Sequence, residues 1–163
     1  MDHLTDTNAN SDETLRFVAR GASAELFCLG DGQVLKLFGD SVSDEMIVRE
    51  VDASVHARAC GVPAAAAITR RTWDGRRGIV YPLLEGGTVM DWIRRHPMRA
   101  GWALDRMGGI HANMHRAGGG ALRSLKQVLA TDIAYGPAPI ALQRAAITYL
   151  DTLPDGGALT HGD

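Results

Sequence analysis

The sequence is short of the features that mark secreted, disulfide-built or membrane-spanning proteins. It has two cysteines, Cys28 and Cys60, and neither lies in a Cys-x-x-Cys pair. A disulfide framework is therefore excluded as the basis of the fold, and both thiols are expected as small core hydrophobes. Long apolar runs are absent: the stretch Val62–Ile68 is far too short to span a bilayer. The opening residues, MDHLTDTNANSDE, are polar and acidic, the reverse of a basic segment followed by an apolar one that would direct secretion. No strong charge imbalance exists either. A formal net charge of −2 gives no electrostatic reason for nucleic acid or an anionic membrane as partner. These absences point to a cytoplasmic protein.

What is present is ordinary globular material. Hydrophobic residues make up 45% and charged residues 22% of 163 positions, enough for one domain or two small lobes. No internal repeat occurs. Residues 1–13 read as a disordered leader, polar and without periodicity. Strand-like runs follow at Leu15–Arg20, Ala24–Leu29 and Gln33–Phe38, with the hairpin signal Gly30-Asp31-Gly32 between the last two. Ser43 is a helix cap, followed by acidic residues and by Ile47, Val51 and Val55 at helical spacing; the helix runs to Ala59 and ends before Gly61 and Pro63. Two more strands, Ala66–Arg71 and Gly78–Leu84, flank the turn Trp73-Asp74-Gly75. After Glu85-Gly86-Gly87 the pattern turns helical: a capped helix from Thr88 to Pro97, then Arg99–Arg116, Ala121–Thr131 and Pro139–Leu153. The expectation is an α+β chain, a five-stranded antiparallel sheet with one helix over residues 14–85, then a helical part over 86–163.

Lys36 lies in the apolar run Val34-Leu35-Lys36-Leu37-Phe38. On an edge strand it would simply face water. Alternation, however, puts it on the face of Val34 and Phe38, where a lysine needs an anion. A turn of small residues, Gly21-Ala22-Ser23, lies upstream, and Glu50 lies on the helix that follows. Phosphoryl transfer asks for this set. Small residues let main-chain N–H groups approach phosphate oxygens, a lysine on the third strand neutralises the phosphates, and a helix glutamate holds the lysine.

In that order, the residues resemble the aminoglycoside phosphotransferases and related small-molecule kinases, which have a protein-kinase-like fold. The resemblance runs from Leu15 to the last residue. It is carried by GASAELFCLGDGQVLKLF, by Glu50 in VRE, by ACGVPAA, by IVYPLLEGG, by Met114-His115 and by the final His161-Gly162-Asp163. It implies that Gly21, Ala22 and Ser23 cover the phosphates, that Lys36 pairs with them and that Glu50 holds Lys36. Pro82 and Leu84 would face a purine edge through a carbonyl and an N–H, with Tyr81 at the back of that pocket. Asp163 would orient an acceptor hydroxyl and take up its proton. The implied reaction is transfer from ATP or GTP to a hydroxyl of an aminoglycoside or similar small molecule. The family's metal-binding asparagine and second aspartate follow the catalytic aspartate, so the ligands for Mg²⁺ are expected beyond residue 163. The chain then reads as the N-terminal portion of a longer kinase, inactive alone. It also departs from a fuller glycine pattern, with Gly21 alone in the loop.

Rival readings stand beside this one. A non-catalytic nucleotide-binding or interaction module could retain the same small lobe. His111 and His115 sit at the i, i+4 spacing of a metal-binding face, with His96 or His161 as a third ligand, but a packed pair is the better expectation because metal sites need three or more convergent ligands. The arginines at 70, 71, 76 and 77 read as a solvated hairpin rather than a nucleic-acid surface. Trp92 and Trp102 read as core residues. Neither the acceptor nor the oligomeric state is legible.

Overall fold

A computed structural model describes the main chain of residues 6–8 and the whole of residues 15–160. The chain divides into two compact units, Met1–Ile110 and His111–Asp163. In the first, the strands β1 (Asp6–Asn8), β2 (Arg16–Arg20), β3 (Ala24–Gly30), β4 (Gln33–Phe38), β5 (Thr69–Trp73) and β6 (Arg76–Pro82) form one sheet. Their order is β1-β5-β6-β4-β3-β2, and helix α1 (Asp44–Ala59) is inserted between β4 and β5. The five longer strands are antiparallel, as expected. The sixth is a correction: residues 6–8, inside the expected leader, pair in parallel with Arg70–Thr72. An edge strand offers unpaired main-chain donors and acceptors that bind a neighbour with little regard for its sequence.

Turn chemistry sets the registers. Asp31 and Gly32 have φ of 49° and 69°, and Asp74 and Gly75 have 48° and 74°. Positive φ at both central residues is the hairpin turn whose twist matches the strands. The β5–β6 pairing reaches Trp73↔Arg76 directly across its turn, so both strands lie closer to the turn than the apolar pattern placed them. The arginines there are consequently in the sheet. Arg76 reaches Glu25 at 2.6 Å and Arg77 reaches Asp44 at 2.8 Å.

Helix α1 starts at Ser43, whose Oγ accepts from the Met46 N–H. It ends in a left-handed cap at Gly61 (φ 79°), where Gly61 N donates to Arg58 O and buried Val62 N to Ala57 O, at 3.0 Å each. Ile47 and Val51 pack on Phe38, Ala67 and Ile79; Val55 is exposed, against expectation. The opposite sheet face buries Leu35, Leu37 and Val80 under Leu15, Phe27, Leu29 and Trp73. Cys28 is half-buried, whereas Cys60 is exposed at the helix end rather than in the core. Past β6 come α2 (Val89–Arg95) and α3 (Ala100–Arg116), the last residues of which belong to the second unit. Trp92 stacks on His96 and meets Trp102, which is largely exposed and not a core residue.

The second unit contains α4 (Leu125–Tyr135) and α5 (Ile140–Thr152). The first of these begins four residues later than its apolar pattern, because Ser124 and Gln127 form a reciprocal capping box there. An antiparallel bridge joins Gly118 to Ala158, and Leu159 N donates to Ala117 O at 2.8 Å, seating the run that leads toward residue 161. Among the described residues, no helix is long and apolar enough to cross a membrane.

Candidate functional site

The strand ladder lays out one sheet face in three rows. Ala24 pairs with Phe38 nearest the Gly21–Ser23 turn. Next, Leu26, Lys36 and Ile79 stand side by side. Then come Cys28, Val34 and Tyr81, adjoining Pro82. From Phe38 to Val34 the rows span about 13 Å at the usual strand rise. Helix α1 buries the Phe38 and Ile79 positions, but Leu26, Cys28 and Val34 remain half-buried. A partly open apolar strip therefore lies beside Lys36.

Lys36 turns inward on this face. Its Nζ donates to Glu50 Oε1 at 2.6 Å and lies 5.0 Å from the centre of the Phe38 ring. The two side chains are 26% and 35% exposed, open enough that such a pair is worth about 0–1 kcal/mol by itself. Its arrangement is more telling than its energy: strand and helix present the two charges to each other across the sheet face, as the sequence order led one to expect. A third member joins them that no spacing or motif announces. Tyr81 OH donates to the same Glu50 Oε1 at 2.9 Å. Burial, and after it the Glu50 charge, raises the phenol's pKa far above the ordinary tyrosine range. Only the three-dimensional register, with Tyr81 opposite Val34, reveals this contact.

The turn Gly21-Ala22-Ser23 is exposed and tied at both ends. Gly21 N donates to Ala24 O at 2.8 Å, and Gly39 N donates to Ser23 O at 3.0 Å. An open depression beside it is lined by this turn, by Gly39–Ser41 and by Arg76. Glu25, just past the turn, is gripped by Arg76 and Arg20, and the hydrogen bonds from Arg76 first and Arg20 second hold its carboxyl below the usual range. At the other end of the face, Pro82 is half-buried and Leu84 is 68% exposed. Leu83 N donates to Gly32 O at 2.7 Å, while the Leu84 N–H has no main-chain partner among the described residues. The structure thus brings Lys36, Glu50 and Tyr81 into contact, with Gly21–Ser23 and Pro82–Leu84 at opposite ends of their face. Asp163, with His161 and Gly162, lies outside the described residues.

The histidine pair has ring centres 6.4 Å apart on α3. Among the described residues, no group of three or more His, Cys, Asp or Glu side chains could hold a metal ion. Compared with known proteins, the sequence matches the family model described as the phosphotransferase enzyme family (APH) over residues 14–163. No curated protein matches it.

Proposed function

The chain belongs to the phosphotransferase enzyme family, and from that premise we propose that it is built to bind ATP or GTP and to serve transfer of the terminal phosphoryl group to a hydroxyl of an aminoglycoside or similar small molecule. In this reading residues 14–85 are the nucleotide-binding lobe and 86–163 belong to the helical lobe. One observation carries it: Lys36 paired at 2.6 Å with Glu50 on the half-open face that runs from the Gly21–Ser23 turn to Pro82.

Each residue has a task that its chemistry suits. Lys36 offers a compact positive charge to phosphate oxygens, and Glu50 keeps that charge on the sheet face. Gly21, Ala22 and the Ser23 hydroxyl offer donors beside it. Cys28 and Val34, which no sequence motif marks, provide apolar surface for a flat base next to Tyr81. The Pro82 carbonyl accepts and the Leu84 N–H donates at the base's edge. Asp163 is the base that orients and deprotonates the acceptor hydroxyl. A bound nucleotide supplies the phosphoryl group; Mg²⁺, which this chemistry commonly uses, finds no ligand cluster among the described residues.

The test is selective protection and transfer. ATP or GTP should raise the melting temperature of the protein, as any ligand of the folded state does, while inorganic sulfate at the same concentration should not. In a phosphoryl-transfer assay of a catalytically active form that contains these residues, Asp163→Asn should lower kcat by orders of magnitude with nucleotide affinity kept. Absence of any nucleotide effect on melting would refute the binding reading, and undiminished turnover would remove Asp163 from the mechanism.

A further inference from the structure

Lys36 and Tyr81 donate to one oxygen of Glu50, at 2.6 and 2.9 Å. A carboxylate oxygen has two lone pairs, so the donors need not compete. They differ in how firmly they are held. The lysine stem is long and its head half-exposed. The tyrosine ring packs against the core formed by Phe38, Ile47, Val51 and Ile79. The phenol oxygen is thereby held against Glu50 by a ring seated on that core.

We propose that Tyr81 is a positioning residue: its hydroxyl holds the Glu50 carboxylate in place while Lys36 is shared with the phosphates of a nucleotide. This rests on the nucleotide reading above. A lysine that serves phosphates must divide its hydrogen bonds, and a carboxylate held by that lysine alone would be free to turn into water. A second donor anchored by its ring on the core prevents this. Because the phenol is neutral, it holds Glu50 without adding charge of its own to the lysine's surroundings. A phenol is protonated, and so a donor, throughout the neutral range. Acting through Glu50 and Lys36, it should matter for ligands that carry phosphates and not for the bare nucleoside.

That selectivity supplies the test. Equilibrium binding of ATP and of adenosine is measured for the wild type, Tyr81→Phe, Glu50→Gln and the double variant, with melting curves to verify folding; phenylalanine keeps the ring and its packing. Tyr81→Phe should weaken ATP about tenfold, the scale of a hydrogen bond to a charged group, and leave adenosine unchanged. In the Glu50→Gln background it should add nothing, since the two changes remove one linked interaction. Equal weakening of both ligands would make Tyr81 a wall of the base pocket and overturn the proposal, as would unchanged ATP affinity or full additivity. In each of those cases the nucleotide reading stands. A wild type that binds no ATP sinks both.

Discussion

Glu50 and Glu25 show what a carboxylate does on each face of the same sheet. Glu50 collects a lysine and a phenol and leaves them beside an open strip. Glu25 collects two arginines: Arg20 just before the Gly21–Ser23 turn, and Arg76 from β6, which also reaches the Leu37 and Phe38 carbonyls at 3.4 Å each. The depressed Glu25 pKa has a direction that can be measured. A carboxyl held lower in the folded than in the unfolded chain contributes stability above its unfolded value, about 4.3 for glutamate. That contribution is lost as pH falls through the lower folded value. Melting temperatures of the wild type should therefore drop on acidification below about pH 5, and Glu25→Gln should show a shallower drop. An identical acid profile in the variant would mean the arginine contacts do not favour the charged form. Lys36 and Glu50 were legible because their types, spacing and order sufficed. Glu25 with Arg76 was not, since 51 positions separate them and only the β3–β4–β6 register brings them together.

At the level of elements, Gly78 illustrates a requirement that hydrophobic patterning cannot express. A Cβ there would lie 2.8 Å from Lys36 O and 2.9 Å from the Leu35 and Leu37 side chains. The strand carrying Lys36 is backed against this glycine, in the register Leu37↔Gly78. Gly78→Ala should cost about 1–3 kcal/mol by forcing main chain and packed leucines apart, read as a lower denaturant midpoint. A neutral result would show the strands can shift apart freely. Removing the α1 cap with Ser43→Ala should cost about 1 kcal/mol, without moving Glu50, so nucleotide affinity should change far less than stability. The hairpins were readable because Asp-Gly pairs dictate positive φ wherever they fall. The strand ends beside Asp74-Gly75 were not, because pairing continues into the turn through arginines that the apolar pattern assigns to solvent. The start of α4 was misplaced for a related reason: Leu122 has the helical spacing, but the Ser124–Gln127 cap decides.

Across the whole molecule, the family resemblance in the sequence and the match over residues 14–163 rest on an order of parts rather than on any one motif. Turn, lysine, helix glutamate and the strand end at Pro82 appear in sequence and are gathered on one sheet face. The fold class was legible from that order, whereas the added strand at Asp6–Asn8 was not, since main-chain pairing at an edge leaves little sequence signature. The proposed function requires that this face receive a nucleotide through Lys36. Titration calorimetry of the wild type and Lys36→Met with ATP tests it most directly. Saturable binding by the wild type, weakened about tenfold or more by loss of the charge-assisted contacts in a variant with an unchanged melting curve, is the predicted result. No binding by the wild type, or equal affinity in the variant, would contradict it.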